Sequence, residues 1–158
     1  MVRVLQPWHM NTKKRLIKAP KIYLRDSGLA HCLWSIETLA ELENHNKLGA
    51  SWEGFALERT VRHLGLSVEE AFFWGTHAGA ELDLFWTRGG KNWGAEFKYG
   101  DAPRLTRSMQ IACSDLDLAH LWVIYPGDTA IRLDKKVSAI PLTQVAGAID
   151  PKGKSSKP

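Results

Sequence analysis

The sequence predicts one α/β unit, a mixed β-sheet with helices covering it, and three features carry that prediction. Residues 52–64 repeat apolar side chains at helical spacing and stop at Gly65. Three strand-like runs follow, separated by glycine-containing turns. A helical stretch then leads to an apolar strand and a last strand, which makes the order of the core α-β-β-β-α-β-β. At 158 residues, 44% hydrophobic and 24% charged, the chain suits a single domain with a sizeable core and is neither disordered nor fibrous in composition.

The elements follow in order. Residues up to about Lys18 read as basic and irregular, and residues 21–25 as a short strand between Pro20 and the turn at Asp26, Ser27 and Gly28. Asp26 or Ser27 caps a helix over 28–36 with Leu29, Cys32, Leu33 and Ile36 as its apolar residues, and a second helix covers 38–45. Ser51 precedes the helix over 52–64, whose stripe is Trp52, Phe55, Ala56, Leu57, Val61 and Leu64. Strands are predicted over 71–75, 80–86 and 92–99, a helix over about 104–116, and strands over 121–125 and near 137–142. The organisation expected is therefore an N-terminal basic extension and helical subregion over 1–48, with a strand and helix packed on the core. A core over 49–148 and a disordered basic tail over 149–158 complete it.

Composition excludes several classes. No apolar run approaches the ~20 residues of a membrane span and no apolar signal segment opens the chain, so a soluble protein without membrane partners is expected. Cys32 and Cys113 are far apart and unaccompanied by ligand spacing, which argues against a disulfide framework or zinc and for the reducing cytoplasm. Both lie in apolar helical patterns and are expected to be buried and inert. None of the six His residues has metal-ligand spacing, and only His77 is expected near the candidate site described below. Trp52, Trp74, Trp86, Trp93 and Trp122 occupy periodic apolar positions and read as core.

The net charge of +4 is unevenly placed: residues 1–25 hold seven Lys and Arg and no acid, whereas residues 26–150 hold 11 basic against 17 acidic residues. Lys13, Lys14, Arg15 and Lys18, with Lys21, have three readings: a grip on nucleic-acid phosphates, a match for an acidic partner surface, or a solvated end. The preferred reading makes residues 1–25 an attachment side, with Leu5, Pro7, Trp8, Leu16 and Ile17 as apolar anchors for a partner protein.

Alternation puts Glu81, Asp83 and Phe85 on one strand face and Leu82, Leu84 and Trp86 on the other, while Glu96 and Lys98 share a face of the next strand. Paired as a hairpin, these strands bring Asp83, Glu96 and Lys98 together. Two carboxylates beside an ammonium suit metal-assisted phosphodiester hydrolysis, with Mg²⁺ or Mn²⁺ on the acids. The bland alternative is a solvated strand face.

Asp83 followed thirteen positions later by Glu96-Phe97-Lys98, behind a helix that carries a carboxylate, resembles the active-site core of the PD-(D/E)xK nuclease superfamily. The resemblance implies a restriction-endonuclease-like fold and a Glu from the preceding helix. Glu53 is the choice and Glu58 the reserve, and the position before Asp83 departs from the pattern as Leu82 rather than Pro. Four blocks, residues 5–30, 49–58, 80–83 and 96–98, also resemble the C-terminal domain (domain of unknown function 4143 type) that follows an AAA-type P-loop ATPase in many bacterial and archaeal proteins. That resemblance implies an ATPase module as partner. The chain itself has no Gly-x-x-x-x-Gly-Lys-Ser/Thr loop, so it is expected to hydrolyse no ATP and to be a fragment, a truncated product or a detached domain. Two function classes remain: a Mg²⁺-dependent endonuclease acting on nucleic acid, or an inactive nuclease-fold module that binds or regulates.

Overall fold

A computed structural model of the chain describes residues 1–9, 19–101 and 103–150. The basic cluster Lys13, Lys14, Arg15 and Lys18, the apolar anchors Leu16 and Ile17, and the tail from Pro151 lie outside the described residues. Among the described residues eight strands form one mixed sheet: β1 (Val2–Pro7), β2 (Lys21–Leu24), β3 (Phe72–Gly75), β4 (Glu81–Arg88), β5 (Lys91–Phe97), β6 (Leu118–Tyr125), β7 (Ile131–Asp134) and β8 (Val137–Pro141), in the order β2-β1-β3-β4-β5-β6-β8-β7. The β1/β3, β5/β6 and β6/β8 pairs are parallel and the others antiparallel.

The helices are α1 (Ser27–Leu33), α2 (Leu39–Glu43), α3 (Leu48–Leu64), α4 (Arg107–Asp115) and α5 (Val145–Ala148), with a 3₁₀ turn at Leu142–Gln144. Local chemistry sets most of their ends. The Asp26 side chain accepts the Leu29 N–H at the start of α1, Thr38 and Glu41 form a reciprocal capping box on α2, and Thr106 caps α4. Gly65 closes α3 in the left-handed region at φ 61°, where a glycine carries no Cβ penalty.

Helices cover both faces. Leu57, Val61 and Leu64 of α3 join Leu84, Trp86, Ala95 and Phe97 in one core layer, whereas Met109 and Ala112 of α4 join Leu82, Phe85, Leu118, Leu121 and Val123 in the other. Burial on both sides explains why β6 reads as a continuous apolar run, as central parallel strands do. The tryptophans at 74, 86, 93 and 122 are buried and Trp52 packs against the core, as their periodicity predicts.

Gly94 packs closely against two leucines: a Cβ there would stand 2.9 Å from Leu118 Cδ1 and 3.0 Å from Leu82 Cδ2. Gly94→Ala is therefore expected to destabilise the fold by ~1–3 kcal/mol through overpacking, read as a lower urea midpoint at unchanged m-value.

The structure corrects four expectations. β1 replaces the irregular opening. Its buried positions Arg3, Leu5 and Pro7 alternate with exposed Val2, Val4 and Gln6, and an inward arginine disguised that alternation in the sequence. Leu5 and Pro7 are buried in the chain's own fold and Trp8 packs on Phe72 and Phe85, so these three are not free anchors for a partner. The short edge strand β7, mostly exposed, carries too little apolar signal to read as a strand, so three strands rather than two follow α4. Cys32 is exposed because α1 buries only Ala30, while Cys113 is half-buried and its thiol is raised by burial.

Strand alternation also fails at one point. Phe72 pairs with Phe85 and Trp74 with Leu82, so a step of three residues on β4 faces a step of two on β3. The extra residue is a β-bulge, which reverses the inside-outside order beyond it. Leu82 and Phe85 consequently share the layer under α4, and Leu84 joins Trp86 under α3, unlike the simple alternation expected.

Candidate active site

The bulge falls at the candidate site. The β4/β5 ladder runs from Arg88 opposite Lys91 to Leu84 opposite Ala95. One step further, side chains take over from the ladder. The Asp83 N–H donates to Glu96 Oε2 at 3.3 Å, and the Phe97 N–H donates to Asp83 Oδ2 at 3.0 Å. Each acid thus satisfies a backbone donor of the opposite strand, which fixes both carboxylates in the opening between strands. Lys98 Nζ lies 2.8 Å from Glu96 Oε1. The three residues read from the sequence as a group are neighbours.

Glu53 approaches from α3. Its Oε1 accepts the Tyr23 hydroxyl at 2.6 Å and lies 3.7 Å from Lys21 Nζ. Lys21 Nζ also lies 3.2 Å from Asp83 Oδ1 and contacts Glu81 Oε1. Lys21 therefore belongs to the carboxylate cluster. Tyr23 and Glu81 were not anticipated, although Lys21 and Tyr23 stand two apart on β2 as Glu81 and Asp83 do on β4, the spacing that shares a strand face. Glu58, the reserve, is occupied elsewhere by Arg3, Arg25 and Arg62. His77 is exposed in the turn before β4.

Burial and the Asp83 charge push Glu96 up to about 7, against the pull of Lys98. Burial and the same charge raise Glu53, which Tyr23 and Lys21 partly oppose. Burial alone would lower Lys98, but the Glu96 charge and hydrogen bond outweigh it and raise the ammonium above its ordinary value. Lys98 is thus a fixed cation at neutral pH rather than a base. Tyr23 is raised by burial and by the Glu53 charge, so it stays a phenol and donates.

A raised carboxyl has a stability signature. Glu96 holds its proton more tightly folded than unfolded, so its favourable contribution is present below about 4.5 and is lost as pH rises through about 7. Glu96→Gln is expected to gain on the order of 2 kcal/mol relative to the natural chain between pH 5 and pH 8, checked by urea unfolding at both. Equal gains at the two pH values would contradict the raised carboxyl.

Among the described residues no three His, Cys, Asp or Glu side chains are grouped to hold a metal ion. The donor chemistry still suits Mg²⁺ or Mn²⁺, since such a hard ion binds through one or two carboxylates and leaves its other positions to water and a substrate phosphate. Asp83 and Glu96 are the two carboxylates that could hold it, with Glu53 beyond them.

A family model described as Domain of unknown function (DUF4143) matches residues 48–145, more than half of the chain. The chain belongs to this family. A second model, Domain of unknown function (DUF8612), matches residues 1–40. Lys21 and Tyr23 come from the segment matched by the second model, and Glu53, Asp83, Glu96 and Lys98 from that matched by DUF4143, so the site joins the two segments. Uncharacterized proteins of Mycobacterium tuberculosis and Mycobacterium bovis are each 42% identical over 152 residues, 95% of this chain and 34% of theirs. The chain thus spans about a third of the length of these relatives. No solved structure matches. Among the described residues no helix is long and apolar enough to cross a membrane.

Proposed function

We propose that this DUF4143 chain is a metal-dependent nuclease-like domain of the PD-(D/E)xK type, with a restriction-endonuclease-like core, acting on phosphodiesters of nucleic acid in the cytoplasm. The observation that supports this reading is that backbone donors fix both acids in the strand opening, Asp83 N–H on Glu96 and Phe97 N–H on Asp83, with Lys98 on Glu96. These two carboxylates would hold Mg²⁺ or Mn²⁺, and Glu53 would complete the acidic side. The ion would supply Lewis-acid charge to the scissile phosphate and leaving oxygen. Lys98, kept protonated by Glu96, orients the attacking water and offsets charge on the phosphorane. Burial of both acids keeps bulk water from screening those charges.

A second reading, a binding or regulatory module without cleavage, draws on the acidic balance of residues 26–150, which opposes a polyanion near the body. In either reading we assign an AAA-type P-loop ATPase as partner, from the sequence resemblance, with no ATP hydrolysis by this chain. The test is incubation of the purified chain with single-stranded, duplex and branched DNA and RNA, with Mg²⁺, Mn²⁺ or EDTA. Cleavage that needs the metal is the expected result, whereas binding without cleavage of any substrate selects the second reading.

A further inference from the structure

Asp83 has two carboxylate oxygens, and both are engaged. Oδ2 accepts the Phe97 N–H, a bond that holds β4 to β5 beyond the end of their ladder. Oδ1 is the oxygen left for a ligand, and the ammonium of Lys21 sits on it at 3.2 Å. The same nitrogen lies 3.7 Å from Glu53 Oε1 and contacts Glu81 Oε1, so one cation serves three carboxylates drawn from α3 and β4. It also lies 5.5 Å from the centre of the Phe73 ring, which favours positive charge at that point. Asp83 is almost fully buried, so neither water nor salt substitutes readily for this ammonium.

We propose that Lys21 is the cation resident on Asp83 and excludes a divalent ion from that carboxylate until its ammonium moves away. This rests on reading Asp83 and Glu96 as the metal-holding pair. A divalent ion needs a carboxylate oxygen at ~2.1 Å, and an ammonium on that same oxygen both blocks the approach and repels the ion. Withdrawal is mechanically simple. Lys21 begins β2, which among the described residues is an edge strand paired with β1 alone, and its charge rides on a flexible four-carbon stem. A substrate phosphate is the natural acceptor for the displaced ammonium. Metal and substrate then bind together more tightly than either alone, and the segment carrying β2 governs a site whose acids belong to the DUF4143 core.

The test is Mn²⁺ affinity of the whole chain in the absence of nucleic acid, followed by the electron paramagnetic resonance of free Mn²⁺. Lys21→Met is expected to bind Mn²⁺ at least ~10-fold more tightly than the natural chain, since one positive charge at contact distance is removed. Lys21→Arg, which keeps the charge, is expected to bind no more tightly than the natural chain. Adding Asp83→Asn to Lys21→Met is expected to abolish the gain. In the natural chain, Mn²⁺ is expected to raise amine-reactive labelling of Lys21 several-fold, read by mass spectrometry, which covers the case of a poorly folding Lys21→Met. Unchanged affinity in Lys21→Met, a gain that survives Asp83→Asn, or labelling indifferent to Mn²⁺ overturns the proposal. Because no substrate is present, tighter Mn²⁺ binding without cleavage would retire the nuclease reading and leave this one standing. Asp83-dependent Mn²⁺ binding that Lys21→Met leaves unchanged would do the reverse.

Discussion

Asp83→Asn is expected to lower metal-dependent cleavage by ~10²–10³-fold, the scale on which removal of one preorganised electrostatic group acts. The substitution is chosen for what it preserves. The amide oxygen of Asn takes the place of Oδ2 and accepts the Phe97 N–H, so no buried backbone donor is orphaned and the strand opening keeps its shape. What disappears is the negative charge that Lys21 now meets and that a metal would need. Far-UV circular dichroism should be unchanged while initial cleavage rates on the best substrate fall. Full activity in Asp83→Asn would remove Asp83 from the chemistry, and with it the nuclease reading of this site.

Glu58→Ala is expected to destabilise the chain by ~3–5 kcal/mol. Arg3 Nε lies 2.6 Å from Oε2, and Arg25 and Arg62 Nε lie 2.9 Å and 2.8 Å from Oε1, so three guanidiniums converge on one buried carboxylate. Arg3 is itself buried on β1, and without Glu58 its enclosed charge would lose the carboxylate it meets among the described residues. Arg62 offers the contrast. Its side chain is 61% exposed and pairs with Glu58 along the helix surface, so Arg62→Ala should cost no more than ~0.5 kcal/mol. Urea unfolding separates the two. The pH dependence has a definite sign: burial alone would raise Glu58, but hydrogen bonds from Arg3, Arg62 and Arg25 outweigh it and hold the carboxyl at about 2. Its contribution is therefore complete above the ordinary value of 4.5 and is lost as pH falls towards 2, so the gap between natural chain and Glu58→Ala should narrow across that window. A gap independent of pH would mean that packing, not charge, accounts for the loss.

This network also explains why β1 escapes a reading of the sequence. An arginine at an inward strand position contradicts the apolar-in rule, and only the carboxylate 55 residues later makes it tolerable. The same limit applies to Lys21. In sequence it follows Lys13, Lys14, Arg15 and Lys18 and reads as the last of a basic cluster, whereas its ammonium meets acids from α3 and β4. Glu53, chosen from the sequence over Glu58, lies beside the cluster, but the sequence carries no sign of the partners of either. Five residues apart on α3, they serve different neighbours: Tyr23 and Lys21 for one, three arginines for the other.

By itself the sequence determined what depends on neighbours along the chain. Apolar periodicity set α3 and the central strands, Asp26 and Thr38 set helix starts, Gly65 set a helix stop, and the spacing of Asp83, Glu96 and Lys98 across one hairpin brought them together. Tertiary structure alone decided the bulge that redirects β4, the inward turn of Arg3, and the cation that occupies Asp83. A buried charge is stable only beside its counter-charge, and a bulge only where the partner strand accommodates it. Both conditions are set by residues distant in sequence, so no local pattern carries them.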